Sequence, residues 1–541
     1  MKKITGFISI IFAFIFVFVL ASCSSTSGVE VEKSVSCTTT SITFNLTFAE
    51  NSNLSENKAV PHIKLYAYDE TQDDKVGEYL SQDNTCKFSG SVYTSSTVTF
   101  TSLTKDTKYA FRFYVTFNQA EELIDTWICS TASGNAKEIT TPEEFLMMQD
   151  DPAGSYTLMN DLDFKDTEVK ELFNTTGTAF KGVFDGNGHT IKNFKFSSST
   201  FGLFTYTDGA VIKNLNLLGF DSEYIASHQE DFDNGNIYNA NFSSGLKTSN
   251  LGILVGTATD TEVVDVTIDN VSLKIKGNSN VDINVGGVVG SAVNSSFTNV
   301  HATKVSIEYT DLRFNVCTGL FAGSISGEAK KTDNGTYTAK NTSVEGTLTG
   351  TLHYYSTGGY AYVGGYAGDL GSSGLVSDSY TVADIKLYRN ASEGDVNKFA
   401  LAVGGFVGTN LNGSMFVKGC VAAADILVKA GAEATSNEDA ATKALSNKLV
   451  YIAGFVGAVN KYVNTISDSC YVKKAEGIAV YALAEKTDDE NNTKPLYALD
   501  NVCATTYAAD KLSNVACAND TAFDTSVFTD EVKAVVTEYL A

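Results

Sequence analysis

A five-residue signature recurs seven times in this chain and constrains the fold more than any other feature. It reads GLFTY at 202–206, GILVG at 252–256, GGVVG at 286–290, GLFAG at 319–323, GGYAG at 364–368, GGFVG at 404–408 and AGFVG at 453–457. The last positions lie 50, 34, 33, 45, 40 and 49 residues apart. A second run follows each signature, as in Val264-Asp265-Val266-Thr267-Ile268 and Ile466-Ser467-Asp468-Ser469-Cys470. A third alternating strand comes after, as in Val271-Ser272-Leu273-Lys274-Ile275 and Asp384-Ile385-Lys386-Leu387-Tyr388. Three strands per unit, with Asp or Asn in the turn, is the requirement of a β-solenoid coil. No unit can bury its apolar face alone, so like faces stack into ladders. Glycines let the backbone of one coil turn closely beneath the next. Variable spacing places insertions at turns, where they leave the stack intact. Propeller blades have more regular spacing and closing aromatic motifs, and separate sandwiches need about 100 residues each.

The signatures resemble the GLUG motif of bacterial surface proteins, whose Gly-Leu-apolar-Gly core they repeat. Residues 180–191, Phe-Lys-Gly-Val-Phe-Asp-Gly-Asn-Gly-His-Thr-Ile, resemble the opening coil of right-handed parallel β-helices. The resemblance spans about 140–485 and departs at Tyr206 and Ala453, which implies local irregularity. The expected fold class is therefore all-β: a right-handed parallel β-helix over 134–485, preceded by a small fibronectin type III-like β-sandwich over 29–133. Residues 486–541 are expected to form a C-terminal segment and cap.

The sandwich expectation rests on period-two alternation at Ser41–Phe48, Ile63–Tyr68 and Val98–Thr101. The run Leu103-Thr-Lys-Asp-Thr107-Lys-Tyr109-Ala-Phe111-Arg-Phe113 resembles the fibronectin type III corner. There a Tyr hydrogen-bonds back to the preceding backbone, a place Tyr109 would hold. The Trp usual near the second strand is missing, and Lys105-Asp106 replaces the common Pro-Gly turn. Trp127 is expected as a core residue. Cys37 and Cys129 fall in the first and last strands, where a disulfide and buried free thiols are equally compatible.

Composition supports a β-rich chain and narrows its partners. Four prolines stand against 44 glycines, with 33 Phe and 26 Tyr among 541 residues. Formal charge is 39 − 63 = −24, so the surface repels polyanions and no nucleic-acid partner is expected. Five histidines and the lack of any CxxC leave little material for metal sites.

Residues 1–23 read MKKITGFISIIFAFIFVFVLASC, a positive start and an apolar run ending at Leu20-Ala21-Ser22-Cys23. That ending resembles the bacterial lipobox. Residues 1–22 would then be a lipoprotein signal peptide, and 23–28 a lipidated tether. The resemblance implies an acylated Cys23 anchored in the lipid bilayer at a bacterial cell surface or the outer face of a membrane. Acyl chains anchor firmly when more than one is present. Removal of Lys2 and Lys3 gives a mature charge of 37 − 63 = −26.

Catalytic residues are not expected, nor is any cofactor or metal. Asp161 with Asp163, and Asp185 with His189, are the early acidic clusters, and both fall in strand-turn sequences that the repeat explains. Glu230-Asp231-Phe232-Asp233-Asn234-Gly235 lacks the spacing of a complete calcium loop and reads as a solvated loop. Cys420 and Cys470, twelve and thirteen residues past their signatures, read as a stacked thiol ladder. Cys503 and Cys517 bracket a loop that a disulfide could close. The helix expected over Phe528–Leu540 would cover the last coil. The functional expectation is a non-enzymatic extracytoplasmic surface protein that engages a host, matrix or glycan ligand through its loops, including 221–250 and 329–342. A carbohydrate-active β-helix with Tyr354, Tyr355, Tyr360 and Tyr362 as stacking surface is the alternative, and a structural envelope component the third.

Overall fold

The computed structural model describes residues 29, 31–37, 41–48, 59–72, 74–88, 95–104, 107–117, 120–131, 136–165, 168–169, 172–173, 178–196, 202–225, 248–276, 282–312, 315–328, 331–332, 335–353, 359–390, 399–410, 413–430, 450–459, 464–481, 512–519 and 523–540. Two compact units divide the chain. The first ends at Glu138 and takes in Thr157–Met159 and Asp185–His189; the second holds Ile139–Tyr156, Asn160–Phe184 and Thr190 onward.

The first unit contains a sandwich of seven antiparallel strands: β1 Val31–Cys37, β2 Ser41–Phe48, β3 Ala59–Tyr68, β4 Val76–Thr85, β5 Ser95–Thr101, β6 Lys108–Phe117 and β7 Ala120–Ser130. One sheet runs β1-β2-β5 and the other β4-β3-β6-β7. Alternate residues meet in one core, where Phe44 packs 4.8 Å from Phe111 and 5.1 Å from Trp127, ring centre to ring centre. Trp127 is thus a core residue, 3% exposed. The Tyr109 hydroxyl accepts the Thr104 amide at 2.8 Å, fastening strand β6 to the backbone before it. Cys86 is a buried free thiol, and burial pushes it up to about 12. The side chain of Cys37 lies outside the described residues.

The second unit is a parallel β-helix. Its leading sheet stacks six strands, Thr248–Gly252, Asp282–Gly286, Val316–Gly319, Gly359–Gly364, Phe399–Gly404 and Val450–Ala453, each ending at a signature. Its trailing sheet stacks seven, from Phe204–Asp208 to Val456–Ala458, each leaving one. The long sheet stacks Val211–Ile225, Glu262–Lys276, Ser296–Leu312, Gly335–His353, Tyr380–Asn390, Val421–Ala430 and Asn464–Tyr481 in parallel. Rung follows rung in the order of the sequence.

Corners hold the register. Asn214, Asp265, Asn299, Asn341, Asp378, Gly419 and Asp468 stack in one column, all at φ between 48° and 65°. Left-handed backbone strains most side chains but suits Gly, Asn and Asp. The corner amides also bond to each other: Asn299 Nδ2 donates to Asp265 Oδ1 at 2.8 Å, and Asn341 Nδ2 to Asn299 Oδ1 at 3.0 Å. The Asn and Asp turns read from the sequence are therefore a side-chain ladder. Inside, the third signature position stacks Phe321, Tyr366, Phe406 and Phe455 at 4.6, 4.7 and 5.0 Å, with ring planes within 9°. A Cβ on Gly404 would sit 2.0 Å from the Val407 carbonyl oxygen, which is why this bend admits nothing larger.

Two expectations are corrected, and the irregularity expected at Tyr206 takes a definite form. Phe204 pairs with Val255 and Tyr206 with Thr257, so Thr205 takes the last-glycine column and Tyr206 the next one. The departure at Tyr206 is a one-residue shift of register. Cys420 and Cys470 do not stack, because Cys470 pairs with Val421. Cys420 instead joins a column of hydroxyls: Ser379 and Ser469 donate back to the carbonyls of Ser377 and Ser467 at 2.7 Å, and Cys420 Sγ to Lys418 at 3.4 Å. Both cysteines are buried free thiols.

The second correction concerns the ends. Helix α1, Pro142–Leu146, plugs the opening of the stack with Phe145, which packs against Phe164, Phe184 and Phe204 at 5.8, 5.6 and 6.3 Å. Thr141 Oγ1 accepts the Glu144 amide at 3.2 Å, and Glu144 reaches back to the Thr140 amide at 2.7 Å. Helix α2, Asp530–Leu540, was expected over the last coil but lies along the outer face of three coils. Phe528, Val532, Val535 and Val536 cover Val382, Val421, Ala423, Cys470 and Val472. Those five are outward positions of the long sheet, in columns that carry Asp269, Thr303 and Glu345 or Thr267, His301 and Ser343 on the rungs before them. Leu512–Cys517 adds the final parallel strand instead.

Candidate functional site

Several residues singled out in the sequence lie outside the described residues: Cys23 with the rest of 1–28, Glu230–Gly235, Tyr354, Tyr355 and Cys503. The acidic pairs of the early coils are described, and they serve as turn caps. Asp161 Oδ1 accepts the Thr190 amide at 3.0 Å, and Asp185 Oδ1 the Asn187 amide at 2.8 Å. Asp163 Oδ1 accepts Asn193 Nδ2 at 2.8 Å and the Lys165 amide at 2.9 Å. These bonds hold the Asp163 carboxyl below its usual range, the reverse of what a proton-donating acid needs. The His189 amide closes a turn on the Gly186 carbonyl at 2.7 Å.

The coil geometry brings together something else. Between leading and trailing sheets the chain always turns at the signature, with little change in length. Between the end of a long strand and the next leading strand it does not. Those connections join Ile225 to Thr248, Lys276 to Asp282, Leu312 to Val316, His353 to Gly359, Asn390 to Phe399 and Ala430 to Val450. All six link the same two sheets, so the two longest connections, Ile225 to Thr248 and Ala430 to Val450, fall at one corner of the stack; the corner between trailing and long strands varies less, from two residues between Val293 and Ser296 to seven between Gly327 and Gly335.

The leading sheet borders that corner and carries an outward column of Asn250, Asn284, Cys317, Tyr362, Ala402 and Tyr451. Asn284 Nδ2 donates to Asn250 Oδ1, and Asn250 Nδ2 to Thr257 Oγ1, both at 2.8 Å. Tyr360 and Tyr362, on one face of one strand, stack at 4.4 Å with planes 11° apart. Asn315 Oδ1 accepts the Tyr360 amide at 3.1 Å. Burial, with Cys317, Asp369 and Tyr451 nearby, pushes the Tyr362 hydroxyl well up, so it stays a neutral donor.

A second polar group, which the sequence reading missed, sits on the outer face of the four-stranded sandwich sheet. His62, Asp83 and Glu121 offer ligand atoms within 4.8 Å of one another, so a metal must be tested. Both His62 nitrogens are engaged: Nδ1 lies 2.6 Å from Asp83 Oδ1, and Nε2 3.1 Å from Thr116 Oγ1. Lys64 Nζ donates to the two Glu121 oxygens at 2.8 and 2.6 Å. The hydrogen bond with Glu121 raises Lys64 and lowers Glu121, so both stay charged. The ammonium already supplies the positive charge a metal would bring, and the group fits an ion-pair network. Lys64 and Arg112 also lie over the rings of Tyr114 and Tyr66, at 4.9 and 5.2 Å. The alternation His62-x-Lys64-x-Tyr66-x-Tyr68 was the signal available for this face.

No family model matches this chain, and no curated protein does. Among solved structures, the family 28 exopolygalacturonase of Yersinia enterocolitica is similar over 89% of this chain and 98% of its own, at 11% identity. Its TM-score of 0.20 is too low to carry an argument about this chain.

Proposed function

We propose that this chain is a lipid-anchored surface protein, held at the bacterial envelope by acylated Cys23, that binds ligand at the variable corner of its β-helix without cleaving it. The observation that carries the reading is the attachment of the longest connections, Ile225 to Thr248 and Ala430 to Val450, to one corner of a rigid stack. Loops of differing length on a fixed scaffold are where binding residues concentrate, whereas a purely structural rod has no reason to gather its longest insertions at one corner. The sandwich, read as fibronectin type III-like, acts as a spacer over 29–133, with the GLUG-type coils over 134–485.

Tyr360 and Tyr362 favour a glycan as ligand, since they join a flat aromatic surface to that corner. The early acids support binding over hydrolysis, because backbone amides occupy Asp161, Asp163 and Asp185. The test is binding of the soluble chain, residues 24–541, to an array of glycans and matrix proteins. Saturable binding lost on replacing 431–449 by a short Gly-Ser linker, or in Tyr360→Ala, supports the reading. Binding that survives every corner change, or none at all, overturns it in favour of the structural role.

A further inference from the structure

The outer face of the sandwich sheet β4-β3-β6-β7 holds large apolar side chains in the open. Tyr79, Leu123 and Ile128 are 42%, 45% and 40% exposed. Register places all three on this face: Tyr79 pairs with Tyr66, Leu123 with Tyr114 and Ile128 with Ala110. Those partners point outward, because their neighbours Leu65, Phe111, Phe113 and Val115 fill the core.

The polar groups between them are already fixed. Lys64 and Arg112 stand directly opposite each other on β3 and β6. Each lies over the tyrosine two residues beyond the other, Lys64 over Tyr114 and Arg112 over Tyr66. Each then reaches a carboxylate at the side of the sheet: Lys64 meets Glu121 on β7, and Arg112 meets Asp74 in the turn before β4. His62 stacks on Tyr114 at 5.6 Å, with ring planes 30° apart. Side chains held in this way lose little freedom when the surface is covered.

Charge selects the partner. The chain carries a formal −24, so its copies repel one another over most approaches. On this face the signs are matched. Lys64, Lys108 and Arg112 rise from the central strands, and Asp74, Asp83 and Glu121 flank them. We propose that this face joins two copies of the chain, sandwich to sandwich. A copy set one strand out of step brings the central cations of each over the flanking carboxylates of the other, whereas a strongly acidic or basic partner would meet like charge. Three strands of about ten residues cover about 34 Å by about 14 Å, which is about 1,000 Å² over both copies. That area is the lower edge of specific interfaces, so the dimer is expected to dissociate in the micromolar range. The contact makes no use of the variable corner and stands apart from ligand binding there.

Sedimentation velocity of the soluble chain, residues 24–541, between about 1 and about 200 µM tests this. The expected result is reversible monomer–dimer exchange with a micromolar midpoint. The double variant Leu123→Glu, Ile128→Glu should weaken association at least about tenfold. Leu218→Glu, at a comparably exposed apolar position on the long sheet, should leave it unchanged. Trp127, the single tryptophan, is buried in the sandwich core, so native emission shows that the double variant is folded. If that emission changes, Tyr79→Ala replaces the double variant, with the same direction expected. A native chain that stays monomeric at about 200 µM would overturn the proposal and leave the face to a different protein. So would undiminished association in the folded variant, or equal weakening by Leu218→Glu.

Discussion

At Asn299 two demands fall on one residue: a backbone at φ 53° and an amide that bonds to both neighbouring rungs. Asn299→Ala loses both bonds and strains the backbone, and should cost about 2 kcal/mol. Asn299→Gly restores the backbone and should cost less, a ranking that urea unfolding of the soluble chain can check. At Phe406, stacked between Tyr366 and Phe455 and wholly buried, truncation to Ala should cost about 3–5 kcal/mol. Phe406 was legible because the signature marks it at a fixed place in each copy, and Asn299 as the Asn or Asp of a turn between strands. Cys420 was not, since a thiol in a hydroxyl column looks the same in sequence as one stacked on Cys470. A count of twelve against thirteen residues was the clue to the difference.

Among elements, those closed by local chemistry were the most readable. Thr141, Pro142 and Glu144 announce helix α1, and Thr141→Ala should cost about 1 kcal/mol by loss of its cap. Tyr109→Phe should lose about 1 kcal/mol with the Thr104 bond, visible as a lower unfolding midpoint of the sandwich. The long strands were harder, because left-handed corners lie inside them and the chain stays hydrogen-bonded through each bend. The seat of α2 was illegible for a related reason. Val382, Val421, Ala423 and Val472 look like ordinary inward residues until rung-by-rung register turns them outward. The ion-pair network at His62 was equally hidden, since its members come from strands β3, β4 and β7, up to 59 residues apart (121 − 62).

For the whole molecule, the proposed anchoring and the proposed binding can be tested separately. Metabolic labelling with palmitate should be abolished in Cys23→Ala, and persistent labelling would rule out that anchor. Among the described residues no helix is long and apolar enough to cross a membrane. The binding proposal depends on something more basic, that distant copies of the signature are rungs of one stack and so share one corner. Lys274 and Ala479 occupy the same column of the long sheet, linked through Glu308, Thr349, Lys386 and Leu427. Five steps of strand spacing put them about 24 Å apart, although more than 200 residues separate them in sequence. Pulsed electron resonance between spin labels at Lys274→Cys and Ala479→Cys measures that distance directly. A narrow distribution near about 24 Å is the predicted result. A broad distribution, or one centred beyond about 40 Å as for a string of separate sandwiches, would contradict the stack and the shared corner with it.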